Sequence, residues 1–256
     1  MGIYTKIADE GGKWVEIAAE GGAPVAAVIN EAASTGCTFY DTTVDGVIYR
    51  EAEFLNDGTI AFSASGGIHF WLGTAGGNGA GSGAGGIFGS PGRHGGIYQV
   101  DNFFVYEDTY EIVVGDPAPP VSNDGKTRIN RGGITVVAAS GNVWPGSGNA
   151  VGWPVDQGVL GKAPTETFRD GISSEHPWGG RSNGTAGWGG NGSGPNGGPP
   201  RTITDWGPAP FDWGRGGTSE QQTAASPPNS GKGGNGLQNS SFTYGGSGRA
   251  YIRVEI

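Results

Sequence analysis

The sequence predicts a mainly β protein that combines β-strands with extended glycine helices of the polyglycine II type and contains little α-helix. Three observations lead to this prediction. Glycine accounts for 54 of the 256 residues. Within residues 73–96 it recurs at every third position. Segments of alternating apolar and polar residues, the pattern of half-buried β-strands, stand on both sides of this tract.

The glycine tract has the period of an extended helix. Three residues per turn is the period of polyproline II, a helix that makes no hydrogen bonds within its own chain. Because glycine has no Cβ, a row of glycines along one edge of such a helix lets a neighbouring backbone approach closely. One row consists of Gly83, Gly86, Gly89, Gly92 and Gly95, and shorter rows occur at Gly184, Gly187 and Gly190, at Gly231 and Gly234, and at Gly245 and Gly248.

Low-complexity disorder is the main alternative for a chain so rich in Gly, Pro, Ser and Asn, since glycine loses the most conformational entropy on ordering. Regularly interspersed Trp, Phe and Ile residues, with the flanking strands, favour an ordered domain instead. The glycine rows are short and interrupted, which excludes collagen.

The N-terminal region predicts a small β module. Residues 2–7 and 13–17 alternate around a glycine-rich turn, which indicates a β-hairpin, with Trp14 as its large apolar anchor. Two strands alone are marginal in water, so the hairpin is interpreted as an attachment element, with Tyr4 and Trp14 as its contact residues. Residues 24–33 predict a short helix, because Pro24 suits a first helical position.

Further strands are predicted along the chain. Residues 38–54 are β by pattern, and the strands at 59–63 and 68–72 flank a Ser-Gly-Gly turn. A strand pair is predicted at 103–106 and 110–114, one strand at 129–139, and a C-terminal strand at 250–256 that buries alternate residues. The expected inward-facing residues are Ile60, Phe62, Ile68, Phe70, Leu72, Ala250, Ile252, Val254 and Ile256. The resulting division is a β module at residues 1–55 and a glycine-rich domain at 56–256.

The composition and the distribution of charge restrict the classes of function that are expected. The first 116 residues hold 4 Lys and Arg against 15 Asp and Glu, and the remainder holds 11 against 9. Nucleic-acid binding is not expected without a basic patch. The acidic first half is interpreted as a solvated face or a docking surface for a basic partner. No signal peptide or membrane-spanning segment is predicted, and Cys37 is expected to be a small buried residue.

Several segments together resemble the glycine-rich C-terminal domain of bacteriophage tail proteins. They are residues 59–66, 110–115, 132–138 and 245–254, and the hairpin at 4–17 resembles a small repeat of phage tail proteins. The nearest architecture is that of the adhesins at the tips of T-even-like long tail fibres. In that family glycine helices stack into a sandwich that displays receptor-binding loops. This chain departs from the family where residues 116–120 and 143–167 interrupt the glycine runs.

The resemblance implies a receptor-binding protein of the virion, at a distal position on the phage tail. Its partners would be other tail proteins, bound by the N-terminal module, and an outer-membrane protein or polysaccharide of the host. No cofactor, metal or membrane insertion is implied, and trimerisation is left open as a habit of tail fibres. Tryptophan stands beside Arg, Asn or Asp in the candidate loops, a composition suited to binding sites. The expected receptor-binding residues are Trp178, Arg181, Trp188, Trp206, Phe211, Trp213 and Arg215.

Three alternatives stand beside this hypothesis. The tryptophans could instead cap the ends of the glycine bundle, in which case they are buried. The protein could be a purely structural component of the tail tip, baseplate or head with no host contact. A glycosidase would need two carboxyl groups about 5 to 10 Å apart, and the histidines show no metal-ligand spacing, so no enzymatic activity is expected. The carboxylate candidates for a glycosidase are Asp156, Glu166, Asp170, Glu175, Asp205 and Asp212.

Overall fold

A computed structural model describes residues 3–6, 14–18, 25–79, 94–117, 125–139, 197–218, 226–235 and 243–256. These residues are mainly β, as predicted, and include no α-helix. The strands are β1 Ile3–Lys6, β2 Trp14–Ala18, β3 Val28–Ile29, β4 Thr38–Val44, β5 Val47–Phe54, β6 Gly58–Ala64, β7 Gly66–Gly73, β8 Ile97–Val105, β9 Thr109–Val113, β10 Thr127–Arg131, β11 Ile134–Ala139, β12 Arg201–Ile203, β13 Phe211–Trp213 and β14 Arg249–Glu255.

Two five-stranded antiparallel sheets dominate the described residues. One has the strand order β4-β5-β14-β7-β8, and the other has the order β11-β10-β9-β6-β3. β12 and β13 form a separate hairpin. β1 and β2 also pair only with each other, which confirms the predicted N-terminal hairpin.

Both large sheets contribute side chains to one hydrophobic core. Phe54, Phe70 and Ile252 come from the first sheet, and Ile60 and Ile112 come from the second; none of the five has measurable exposed surface. The inward-facing set predicted for β6 and β7 is confirmed: Ile60, Phe62, Ile68, Phe70 and Leu72 are all buried.

The strand β14 occupies the centre of its sheet. It pairs with β5 on one side and with β7 on the other, and its residues Ala250, Ile252 and Val254 are buried as predicted. The alternation predicted burial on one face only, and that part is wrong. Tyr251 and Arg253 point to the opposite face and are buried as well, because other residues cover that face. The predicted burial of Ile256 is also wrong, since it lies beyond the strand and is exposed.

The helix predicted at residues 24–33 does not form in the described part of that segment. Residues 28 and 29 pair with β6 as an edge strand, and only Glu31–Ala33 form a turn of 3₁₀ helix. Ile29 contacts the core from the edge of the second sheet. Pairing with β6 therefore outweighs the weak helical preference of a short segment.

Strands that are adjacent in sequence mostly belong to different sheets. The predicted turn after β6 and the turn at Glu107 and Asp108 are crossings from one sheet to the other, so neither closes a hairpin. The single strand predicted at 129–139 is in fact the hairpin β10–β11. Its turn is formed by Gly132 and Gly133, whose φ angles of 56° and 78° lie in the left-handed region that favours glycine.

The predicted domain boundary after residue 55 does not coincide with a break in the fold. β4 and β5 pair into the sheet that contains β14, β7 and β8. The described residues from 25 onward therefore belong with the glycine-rich part of the chain. None of the described helical segments is long and apolar enough to cross a membrane.

Glycine-rich segments outside the strands bond to one another through their backbones. Gly76 donates its N–H to the carbonyl of Gly246, Gly246 donates to Lys232, and Gly234 donates to Gly77, at 2.7–2.8 Å. Further bonds of this kind join Gly79 to Thr243, Gly95 to Gly231, Gly233 to Arg215 and Gly216 to Gly198. The segments 74–79, 231–234 and 243–248 each bond to two or more other segments.

The spacing between these segments excludes side chains. A Cβ atom on Gly76 would overlap the carbonyl oxygen of Lys232, and one on Gly79 would overlap that of Asn235. The same holds for Gly245 against Gly76. Only glycine permits backbones to pack at this separation.

Candidate functional site

The sheet that contains β14 has two different faces. Its inner face supplies the hydrophobic core, while its outer face carries charged and aromatic side chains. The strand register sets these side chains in neighbouring positions, since Arg253 lies opposite both Glu51 and His69, and Tyr251 lies opposite both Glu53 and Trp71. The outer face is made of Tyr40, Thr42, Tyr49, Glu51, Glu53, His69, Trp71, Ile97, Gln99, Asp101, Arg249, Tyr251 and Arg253.

Residues 201–213, which we call the strap, cover part of the outer face. The strap contains the β12–β13 hairpin, and three of its side chains, Ile203, Trp206 and Trp213, form a second buried apolar cluster with Trp71 and Tyr251. Trp213 meets Trp71 edge to face with a centroid distance of 5.0 Å. The sheet therefore has apolar clusters on both sides.

Arg253 fastens the strap to the sheet. Its Nη1 donates a 2.7 Å hydrogen bond to the carbonyl oxygen of Asp205. Its guanidinium lies 3.9 Å from the ring centroid of Trp206 and 4.4 Å from that of Tyr49. Cation–π contacts strengthen when they are removed from water, and Arg253 is 5% exposed.

Two carboxyl groups on the outer face are buried, and one of them bonds to the strap. Glu53 accepts hydrogen bonds from the hydroxyls of Tyr40 and Tyr251 at 2.6 and 2.8 Å. Glu51 has no exposed surface and accepts the backbone N–H of Gly207 at 2.6 Å. Burial raises the pKa of Glu51 to about 7, and the Gly207 hydrogen bond and Arg253 act in the opposite direction.

The structure buries two of the predicted recognition residues. Trp206 is 1% exposed and Trp213 has no exposed surface, so the expectation that these indoles are displayed on loops is wrong. The alternative, that they cap the glycine bundle, fits Trp213, whose ring lies where Cβ atoms on Gly73 and Gly231 would be. Glycine supplies a flat surface on which an indole ring can lie.

The other predicted site residues are placed differently. Phe211 is half-buried and packs on the second apolar cluster, whereas Arg215 is exposed. Tyr4 and Trp14 lie on β1 and β2, and their role in attachment stays a prediction. The remaining receptor-binding candidates, Trp178, Arg181 and Trp188, lie outside the described residues.

A groove runs between the strap and the edge strand β8. Its volume is about 240 Å³. Apolar wall positions come from Trp71, Ile97 and Ile203. Polar side chains line most of the remainder: Gln99, Asp101, Arg201 and Asp205.

The polar walls of the groove are held by neighbouring groups. The Asp101 carboxylate lies 3.0 Å from Nδ1 of His69, which itself contacts the ring of Tyr49. Asp205 is fixed through its backbone carbonyl by Arg253, and Arg201 sits in β12 opposite Trp213. This groove was not predicted from the sequence. The sequence pattern that indicates the groove is the alternation within β8. The side chains of Gln99 and Asp101 point away from the core that contains Tyr98 and Val100.

Two carboxylates of the glycosidase hypothesis lie on the strap. Asp205 is exposed and lines the groove, while Asp212 accepts a 2.8 Å hydrogen bond from Thr202 on the paired strand. The other four, Asp156, Glu166, Asp170 and Glu175, lie outside the described residues. Within the part of the chain that the structure describes, no group of three or more His, Cys, Asp or Glu residues could hold a metal ion.

Comparison of the chain with known protein families, characterised proteins and solved structures finds no match. The function therefore has to be inferred from the residues and their geometry.

Proposed function

We propose that this chain is a receptor-binding protein of a bacteriophage tail, an adhesin that attaches the virion to the host surface. It works without a cofactor or catalytic step. The glycine-rich part acts as a rigid scaffold, and the segments that it connects contact an outer-membrane protein or polysaccharide.

The contact between glycine segments is the observation that carries this proposal. Segments around Gly76, Gly216, Gly233 and Gly246 bond to neighbouring segments through their backbones, and Gly76, Gly197 and Gly245 lie too close to neighbouring carbonyl groups for a Cβ. We interpret them as polyglycine II helices stacked as a sandwich, because a three-residue helix presents its N–H and C=O groups outward in several directions. A sandwich of such helices is the architecture that the sequence resemblance implies.

A scaffold of this kind suits recognition by its connecting segments, since loops on a rigid framework carry binding in many unrelated proteins. Trp178, Arg181 and Trp188 belong to the segment that joins β11 to β12, and we propose that they contact the receptor. Arg215 is exposed beside the strap and is proposed as a further contact residue. Trp206 and Trp213 instead pack the strap against the sheet.

The N-terminal hairpin is proposed to attach the chain to other tail proteins through Tyr4 and Trp14. β1 and β2 form a sheet of their own, as expected for an element that docks elsewhere. A homotrimer would be consistent with a tail-fibre position.

A purely structural virion protein is the second candidate, and the burial of Trp206 and Trp213 favours it. Those two indoles are the predicted recognition tryptophans among the described residues, and both are buried in packing contacts. A protein that only plugs or decorates the particle would need the same scaffold without an exposed aromatic surface.

An antibody against the purified chain separates the two candidates. We expect immunogold label at the distal end of the tail of the phage that encodes the chain, and we expect Fab fragments to block adsorption to host cells. Label elsewhere on the particle with normal adsorption would favour the structural candidate. Virions without any label would contradict both.

Phage particles that carry variants of the chain then show which residues form the receptor-binding surface. Trp178→Ala combined with Trp188→Ala is expected to abolish adsorption without loss of assembly, and Tyr244→Ala, which changes an exposed aromatic residue elsewhere, is the matched control. Equal adsorption of the double variant and the control would remove these tryptophans from the proposed surface.

A further inference from the structure

The groove beside β8 has the chemistry of a site for one sugar ring. We propose that it binds a single neutral saccharide unit of a bacterial surface polysaccharide. This inference rests on the proposed receptor-binding function, and it names a ligand class and a site formed by residues other than Trp178, Arg181 and Trp188.

The polar groups of the groove complement hydroxyl groups. A sugar hydroxyl both donates and accepts hydrogen bonds, so its site needs both kinds of partner. Asp101 and Asp205 accept, Arg201 donates, and Gln99 does both. The exposed carboxylate of Asp205 has two oxygens and can accept from two adjacent hydroxyls, and bonds to charged groups are the stronger ones, whereas one oxygen of Asp101 already contacts His69.

The apolar wall and the size of the groove also fit a ring. Trp71, Ile97 and Ile203 are largely buried, so they expose only a narrow apolar strip, enough for the C–H edge of a sugar. The volume of about 240 Å³ lies below the range of roughly 300–1,000 Å³ that is usual for drug-sized ligands. A single ring fits this space, and an acyl chain would find little apolar surface.

The charge of the groove argues against anionic ligands. Two carboxylates face one guanidinium among the lining residues. A phosphorylated sugar or a nucleotide would be repelled by that balance, whereas a neutral sugar would be accepted. A lysine-rich loop of a host protein would also suit the charge, but the small volume of the groove favours a single saccharide ring.

The walls are fixed before any ligand arrives, which lowers the entropic cost of binding. The backbone of Asp205 is held by Arg253, and the carboxylate of Asp101 by His69. Arg201 is placed by the pairing of β12 with β13. Of these three contacts, the hydrogen bond from Arg253 to Asp205 joins the strap to the sheet.

Titration of the ¹⁵N-labelled full-length chain with methyl glycosides of glucose, galactose, mannose and rhamnose tests the proposal. We expect at least one glycoside to shift the amide resonances of Gln99, Asp101, Arg201 and Asp205 at millimolar concentration. Glucose 6-phosphate and trilysine are the comparison ligands. Shifts by trilysine alone, or by no glycoside, would overturn the saccharide assignment.

Two groove variants with matched controls locate the binding. Asp205→Asn and Arg201→Gln are each expected to weaken glycoside binding by about tenfold or more, the usual effect of losing a hydrogen bond to a charged group. Asp212→Asn and Asp45→Asn change exposed aspartates outside the groove and should bind normally. Equal affinity of groove and control variants would overturn the proposal.

Adsorption of particles that carry the same variants separates this inference from the proposed function. If particles whose protein binds no glycoside still adsorb normally, the groove is not a receptor site, but the proposed adhesin function is retained. Failure of the Fab experiment would reject the adhesin itself.

Discussion

Glu51 is a carboxyl group without exposed surface, and it holds the strap through the N–H of Gly207. Its pKa of about 7 lies above its ordinary value of 4.5, so the folded protein binds its proton more tightly than the unfolded chain. The contribution of this group to stability is therefore complete below pH 4.5 and is lost as the pH rises through 7. The loss is on the order of 3 kcal/mol.

Glu51→Gln should remove this pH dependence, because glutamine keeps an acceptor for Gly207 and does not titrate. We expect the free energy of unfolding of the variant to change less between pH 5 and pH 8 than that of the parent, by urea denaturation. Glu107→Gln, an exposed glutamate, is the control and should follow the parent. Identical pH slopes for Glu51→Gln and the parent would contradict the prediction.

Trp213→Ala tests the role of a buried indole. It removes the ring that packs on Trp71 and on two glycines, and truncation of a fully buried tryptophan typically costs about 3–5 kcal/mol. A lower thermal midpoint and a lower soluble yield are expected. Tyr244→Ala, where 47% of the residue is exposed, should change little. Comparable stability of the two variants would show that Trp213 is not a structural residue.

The burial of individual residues could be predicted only where the alternation of apolar and polar residues indicates it. Phe62 and Ile252 were predicted because alternation marks one face of a strand. Tyr251, Arg253 and Trp213 were not, because their burial depends on the strap, which covers a face that alternation assigns to solvent. The groove was missed for the same reason, since Arg201 and Asp101 are about a hundred residues apart in sequence.

The glycine segments are the elements that tolerate the least change. Gly76→Ala places a Cβ against the backbone of Lys232, which cannot move away as a side chain would. We expect this variant to lose several kcal/mol of stability or to fail to fold, because each segment is held on more than one side.

Gly46→Ala is the matched substitution for comparison. Gly46 has a φ of 83° but open space around it, so only the left-handed backbone is strained, at roughly 1–2 kcal/mol. Thermal melts of the two variants measure the difference. Equal loss at both positions would mean that close backbone packing does not stabilise these segments.

The sequence predicted the positions of most strands but not their partners. Alternation located β6, β7, β9 and β14, since the period of two is a local property. Whether a short connection closes a hairpin or crosses between sheets depends on packing of the whole core. The connections after β6 and after β8 both cross, although each looked like a turn.

At the scale of the whole molecule, the first and the last described strands contribute very differently to the stability of the fold. β1 pairs only with β2, whereas β14 lies between β5 and β7. Deletion of residues 1–24 is expected to leave the thermal midpoint almost unchanged, and deletion of residues 249–256 is expected to abolish folding. Circular dichroism melts measure both. A large loss of stability from the N-terminal deletion would show that the hairpin packs on the sheets.

The position of β14 also has a consequence during synthesis. β5, β7 and β8 are complete by residue 105, but the strand that joins β5 to β7 begins only at residue 249. At a translation rate of about 5–20 residues per second, the ribosome needs on the order of ten to thirty seconds to bridge that interval. During this time the nascent chain carries two unpaired strand edges, which are sites of aggregation. Chaperone supply and translation speed, more than the stability of the finished protein, should therefore limit its yield in cells.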